Sequence, residues 1–194
     1  MGDVDLDELR ALVAGAGTAE QAREGQEGEE QQSDLPEGGS KALSFLIRSA
    51  SRRPLTTAEA RDKLIGRDHP AEVADAVVRR AIAMKVLDDH AFAQAWVNDR
   101  GVNRGYGRRR LERELRKRKL DDAVIDQALA LLDEVDETAQ ATELARKRAQ
   151  GMPATLEPAK VANRLVGYLV RRGFASDIAH QVARRVTAMD RDWD

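Results

Sequence analysis

LERELRKRKLDDAVIDQAL, residues 111–129, sets out a pattern that recurs along this 194-residue chain. Leu111 and Leu115 stand one helical turn apart, and Val124 and Leu129 follow beyond an Asp-Asp break. Laid without a gap over ARDKLIGRDHPAEVADAVV (60–78), the stretch pairs Leu115 with Leu64, Val124 with Val73 and Leu129 with Val78. Laid over LVGYLVRRGFASDIAHQV (165–182), it pairs Leu111, Leu115 and Leu120 with Leu165, Leu169 and Phe174. The offsets of 51 and 54 residues lie inside or just past the range of solenoid units. Each unit reads as three short helices, too small to bury a core alone, so neighbours must stack. The expected fold is all-α, with about three tandem three-helix repeats forming an elongated, curved body.

Beyond residue 40 the apolar spacing is helical throughout, with no strand alternation, and about nine helices are expected. LTTAE (55–59) has the form of a capping box, DHPAEV (68–73) puts a proline just inside a helix, and LDD occurs at 87–89 and 120–122. These signals divide the chain into repeats at 40–87, 88–133 and 134–194. Residues 1–39 differ in kind. They hold eleven acids against two bases and are mostly Gly, Glu, Gln, Ala and Ser from Ala14 onward. Such a segment buries too little apolar surface to offset its ordering entropy and is expected to be disordered. A solubilising spacer is the favoured reading of this arm, over self-inhibition of the basic body.

Composition narrows the function. Aromatics make up 4% and charged residues 34%, which suits packed helices with charged outer faces. The absence of cysteine excludes disulfides and thiolate chemistry. No apolar run approaches the roughly 18 residues of a membrane span, and the acidic MGDVDLDELR start is unlike a secretory signal. A cytoplasmic protein with no membrane partner, monomeric in solution, is the expectation.

The net charge of −2 is a cancellation, because residues 40–194 carry thirty bases against twenty-three acids. Asn98–Leu120 alone holds ten bases and three acids. On a helix from about Gly107 to Lys119, Leu111 and Leu115 form a narrow stripe toward the core. Arg109, Arg113 and Arg116 lie opposite, flanked by Arg110 and Lys117, with Arg104 and Arg108 at the entry. Glu112 has Arg116 and Arg108 at a spacing of four, and Glu114 has Arg110, which leaves Arg109, Arg113 and Lys117 unpaired on their own helix. Three readings stand: a solvated face, phosphate contact, or docking into an acidic protein groove. Tyr106, just before the helix, is read as packing rather than as a stacking platform.

Nothing in the chain looks catalytic. GVNRGYG (101–107) lacks the spacing and preceding strand of a dinucleotide fingerprint, and His69, His90 and His180 have no second ligand at metal spacing. The pairs Asp88-Asp89 and Asp121-Asp122 read as helix caps, and Phe92 with Trp96 as core. No cofactor, metal or enzymatic activity is expected.

KALSFLIRSASRRPLTTAEARDKL, VLDDHAFAQAWVNDRG and GYGRRRLERELRKRKLDDAVIDQAL together resemble the RecX family of bacterial recombinase regulators. The most specific part is the Asp-Asp start followed by Phe92-Ala93, Trp96-Val97 and Arg100, then a Gly-x-Gly turn and the basic helix. The likeness covers about residues 40–190. It implies tandem three-helix units, and a protein that binds the RecA recombinase and its nucleoprotein filament. Within homologous recombination, DNA repair and the SOS response, such a protein restrains ATP hydrolysis, strand exchange and filament growth. It would meet single- or double-stranded DNA weakly, or within the filament. Arg109, Arg110, Arg113, Arg116 and Lys117 match the family's basic segment and, with Arg104 and Arg108, are the residues expected to make contact. The competing expectation is an independent nucleic-acid-binding protein that uses residues 104–119 in a helix–turn–helix-like setting.

Overall fold

The computed structural model describes residues 35–189; the expected disordered arm falls mainly on residues 1–34, outside the described residues. Leu35 already packs against the first core. The first unit consists of α1 (Gly39–Arg52), α2 (Thr57–Ile65) and α3 (Ala71–Ala83). The second has α4 (Asp89–Val97), a π-helical segment (Asn98–Asn103), α5 (Arg108–Lys117), α6 (Asp122–Leu129) and a 3-10 turn (Ala130–Leu132). The third has α7 (Glu137–Gln150), α8 (Pro158–Arg172) and α9 (Ser176–Met189). The described residues thus form nine α-helices and no strand.

The repeat register read from the leucines holds at atomic detail. Leu64, Leu115 and Leu169 are fully buried, and so are Ala60, Leu111 and Leu165 one turn earlier. Each unit has its own apolar cluster, one around Leu43, Leu46 and Leu64, one around Leu111, Leu115 and Ile125, and one around Leu165, Leu169 and Phe174. The middle helices also end alike. Asp68, Lys119 and Gly173 take left-handed φ values of 63°, 59° and 98°. The next residue then donates back across the last turn, His69 to Leu64 O (3.3 Å), Leu120 to Leu115 O (3.4 Å) and Phe174 to Leu169 O (3.2 Å). This is the Schellman closure, repeated at the same 51- and 54-residue offsets. It turns the chain so that the third helix packs back on the first two.

The caps follow the sequence in part. Thr56 and Glu59 form the capping box of α2, and Asp88 accepts from Ala91 N–H at the start of α4. Pro70 sits at the N-cap of α3 rather than inside its first turn. Asp121 occupies the N-cap of α6 without a side-chain bond. Asp89 turns away from its own helix: its carboxylate accepts from Thr57 N–H (2.8 Å) and from the Thr57 hydroxyl, which fastens the second unit to the start of α2. Carboxylates that read alike as caps therefore do different jobs, because caps compete with neighbours that a single strand of sequence does not display.

The second unit is bonded to both others. Toward the first, Thr56 Oγ1 donates to Arg118 O (2.8 Å), and Arg118 Nη2 donates to Pro54 O (3.0 Å) and Glu59 Oε2 (2.7 Å). Toward the third, Gly107 N–H donates to Arg172 O (2.9 Å), Arg172 Nη1 to Arg104 O (2.7 Å) and Gln140 Nε2 to Gly101 O (3.1 Å). Here the backbones touch. A Cβ at Gly107 would meet Gly173 C at 2.5 Å, and one at Gly173 would meet Arg110 N at 2.5 Å. Only glycine allows the N-terminus of α5 to abut the C-terminus of α8 this closely.

A candidate charged interface on the second unit

Helix α5 places its two leucines inward and its arginines outward, as its period requires. Its start is unusual. Six of the nine helices carry an acid in the first turn, which suits the positive end of the helix dipole. Helix α5 carries Arg108, Arg109 and Arg110 there, behind an N-cap glycine that offers no side-chain oxygen. Like charge at the helix end costs stability, offset here in part by the carbonyl end of α8 against Gly107 and by acidic partners of Arg108 and Arg110. Sequences that break a local rule at a local cost tend to do so where a site needs it.

The seven expected contact residues divide into two groups. Arg104 pairs with Asp99 (3.0 Å), and Arg116 is held by both Glu112 (2.7 Å) and Asp122 (3.1 Å). Arg110 pairs with Glu114 (2.9 Å) as expected, and its guanidinium lies 3.7 Å from the centre of the Tyr106 ring. Arg108 does not pair with Glu112. It reaches Asp133 (2.8 Å) and donates to Leu129 O (3.3 Å), because the 3-10 turn after α6 comes closer to it than the next turn of its own helix. Arg109, Arg113 and Lys117 are exposed and, among the described residues, have no carboxylate within 4 Å. They form one row at i, i+4 and i+8 along the outer face of α5.

Behind this row lies a packed polar layer. Glu114 accepts from Arg110 Nε (2.9 Å), Arg100 Nη1 (2.9 Å) and Trp96 Nε1 (3.2 Å). Burial works to raise the Glu114 carboxyl, but the Arg110 and Arg100 hydrogen bonds outweigh it and hold the group below its ordinary range. A carboxyl lowered in the folded state stabilises the fold above its unfolded pKa, and that contribution disappears as pH falls through the folded value. Glu114→Gln is therefore expected to cost about 1.5–3 kcal/mol at pH 7, the worth of a hydrogen bond to a charged group. The gap to the parent should close in the acid range. Denaturant midpoints at pH 7 and pH 3 check this, and a gap that persists at pH 3 would remove the charge from the explanation. At the junction with the third unit, burial and the nearby Asp177 push the Glu137 carboxyl up, against the pull of Arg108 and Arg109.

Phe92 and Trp96 stack at 5.5 Å and are half-buried, so they belong to packing, as expected. The residue that sequence reasoning missed is Arg118. It is buried, with its guanidinium 4.6 Å from Phe92 and 5.1 Å from Trp96, and it serves the junction rather than the surface. Tyr106 is half-buried with Arg110 at 3.7 Å and Arg172 at 5.6 Å from its ring centre, so it packs against guanidiniums of the second and third units. Among the described residues, no cluster of three His, Cys, Asp or Glu is placed to hold a metal, and no helix is long and apolar enough to cross a membrane. The surface can bind anions by charge, with three free cations on a rigid helix.

Comparison with known proteins adds a lineage. Residues 88–129 match the model described as RecX, second three-helix domain, and residues 134–183 the one described as RecX, third three-helix domain. "Regulatory protein RecX" of Mycolicibacterium vanbaalenii is 37% identical over 159 residues, covering 79% of this chain and 86% of that protein. The protein so named from Thermobifida fusca is 35% identical over 162 residues, covering 78% and 85%. Among solved structures, RecX from Lactobacillus salivarius superposes with a TM-score of 0.64 at 21% identity, covering 79% of this chain and 99% of that one. A second structure, of a regulatory protein RecX, gives 0.60 at 22% identity, covering 94% and 80%. At these identities the structures speak to the fold.

Proposed function

This chain belongs to the RecX family of regulatory proteins, and from that premise we propose that it binds the RecA recombinase and its nucleoprotein filament. Binding restrains ATP hydrolysis, strand exchange and filament growth. The observation that carries this reading is the unpaired row Arg109, Arg113 and Lys117 on a helix locked between two neighbouring units. A rigid cationic row would be complementary to a groove of acidic side chains or DNA phosphates, and meets either without catalytic groups. Regulation by occupancy needs no cofactor. The protein acts in the cytoplasm as a monomer and touches DNA weakly, or within the filament.

The test is RecA ATP hydrolysis on single-stranded DNA, titrated with this protein from far below RecA up to equal concentration, beside a DNA-binding assay without RecA. Inhibition well below stoichiometry with little binding to bare DNA is the expected result. Unimpaired hydrolysis with tight, salt-sensitive binding to bare DNA would instead establish an independent nucleic-acid-binding protein.

A further inference from the structure

A second cationic feature lies on the third unit, outside the basic helix. Spacings of three and four put Arg164, Gly167 and Arg171 on one face of α8, and Arg148 reaches the same place from α7. With Asn163 they line an open depression of about 470 Å³. Gly167 makes the hollow. A glycine inside a helix costs about 1 kcal/mol relative to alanine. A Cβ there would stand 3.1 Å from Arg171 Nη1, so the missing side chain gives that guanidinium room to lie back across the helix without the small shift an alanine would ask of it. The apolar side of α8, with Leu165 and Leu169, faces the core and leaves this side without a packing role. Among the described residues Arg148, Arg164 and Arg171 have no carboxylate within 4 Å, although Lys160 and Arg146 nearby in sequence are both paired. Three like charges around one hollow repel each other until an anion enters it.

The hollow is joined to the basic helix. Arg148 lies 5.8 Å from the Tyr168 ring centre, and Arg172 lies 5.0 Å from Tyr168 and 5.6 Å from Tyr106. Arg110 covers Tyr106 at 3.7 Å. Arginine and tyrosine thus alternate from the hollow, across the Gly107–Gly173 junction, to α5.

We propose that the Arg148, Arg164 and Arg171 hollow binds a backbone phosphate of a nucleic-acid strand, so that the second and third units follow one strand together. The three guanidiniums and the Asn163 amide offer positive charge and paired N–H donors to the two non-bridging oxygens of a phosphodiester, and the arginines of the ladder carry that charge on to α5, as a strand of repeated phosphates requires. The hollow itself is lined by arginine, asparagine and glycine with no aromatic ring, so no stacking platform there reads a base. The contact is to backbone and is independent of sequence. It goes beyond the filament-binding reading and does not require it.

The experiment is a titration of the full-length, 15N-labelled chain with a single-stranded thymidine 12-mer, and separately with a glutamate 12-mer peptide. The Gly167 amide and the Arg164 and Arg171 Nε–H signals are expected to shift with the oligonucleotide, and not with the peptide at the same concentration. In Arg164→Gln/Arg171→Gln, the slope of log affinity against log salt is expected to fall by about 1.4, roughly 0.7 for each charge removed on a single strand. Gly167→Glu, which puts an anion in the hollow, is expected to abolish the local shifts while the remaining spectrum stays native. Signals at the hollow that stay still under the oligonucleotide overturn the proposal, whether or not α5 responds. So does an unchanged salt slope, and a stronger response to the peptide would assign the hollow to protein carboxylates. RecA inhibition is read separately, so either proposal can fail while the other stands.

Discussion

A protein carrying Arg109→Glu, Arg113→Glu and Lys117→Glu together is expected to remain folded and to lose about a hundredfold in affinity for the RecA filament, taking about 1 kcal/mol for each surface charge. The fold survives because the three side chains are exposed and bond to nothing else in the described chain. A glutamate at 109 also suits the first turn of α5, while one at 117 is unfavourable in the last turn, so the dipole effects nearly cancel. Inhibition of RecA ATP hydrolysis should fall with affinity, and the salt dependence of binding should flatten by about one unit of slope for each phosphate no longer neutralised. The comparison variant reverses Arg104, Arg108 and Arg116, which are already neutralised by Asp99, Asp133, Glu112 and Asp122. That variant should retain most of the binding and lose stability instead. Two sets of three reversals in one basic stretch are thus expected to separate binding from folding. Full inhibition by the first set, in a protein with an unchanged circular dichroism spectrum, would mean that the outer row of α5 is not the binding surface.

The contrast between those two sets marks where sequence reading ends. Leucines at helical spacing, recurring at fixed offsets, were enough to find three units and their register, because burial imposes the same period each time. Charge is not so constrained. Arg108 chose Asp133 over Glu112, twenty-five residues away rather than four, and Arg116 gained Asp122 as a second partner. Both choices depend on how α6 and its 3-10 turn return beside α5, which no local window contains. Asp68 and Lys119 occupy left-handed positions that the sequence signals only at Gly173, since glycine is the residue that usually marks such a turn. The hollow on the third unit escaped because its arginines are spread over two helices and only packing draws them together.

Arg118 is the clearest case, and Arg118→Ala is the substitution expected to cost the most stability. Counted among the cations of a basic stretch, it is instead buried where the first and second units meet. Its partners, Pro54 and Glu59, precede it by 64 and 59 residues. Truncation removes the ion pair, the hydrogen bond to Pro54 O and the guanidinium packed on Phe92 and Trp96, and leaves the partly buried Glu59 carboxylate with only the Thr56 N–H and the exposed Arg53 at 3.9 Å. Breaking a buried pair from one side costs about 3–5 kcal/mol, and the partial exposure of Glu59 places this case at about 2–4. A unit of some fifty residues cannot hold its core alone, so the loss should fall on the first unit. The expected signature is a thermal unfolding curve that divides, with residues 39–83 melting before the rest. Replacing both partners, as Arg118→Met with Glu59→Met, should cost less than Arg118→Ala alone, because no charge is then left without its mate. A single transition within about 1 kcal/mol of the parent would show that Thr56, Asp89 and an ion pair between Lys119 and Asp62 hold the junction without the guanidinium. A divided transition would show that the junction holding α5 to the first unit is set by an arginine that is buried rather than presented on the outer row.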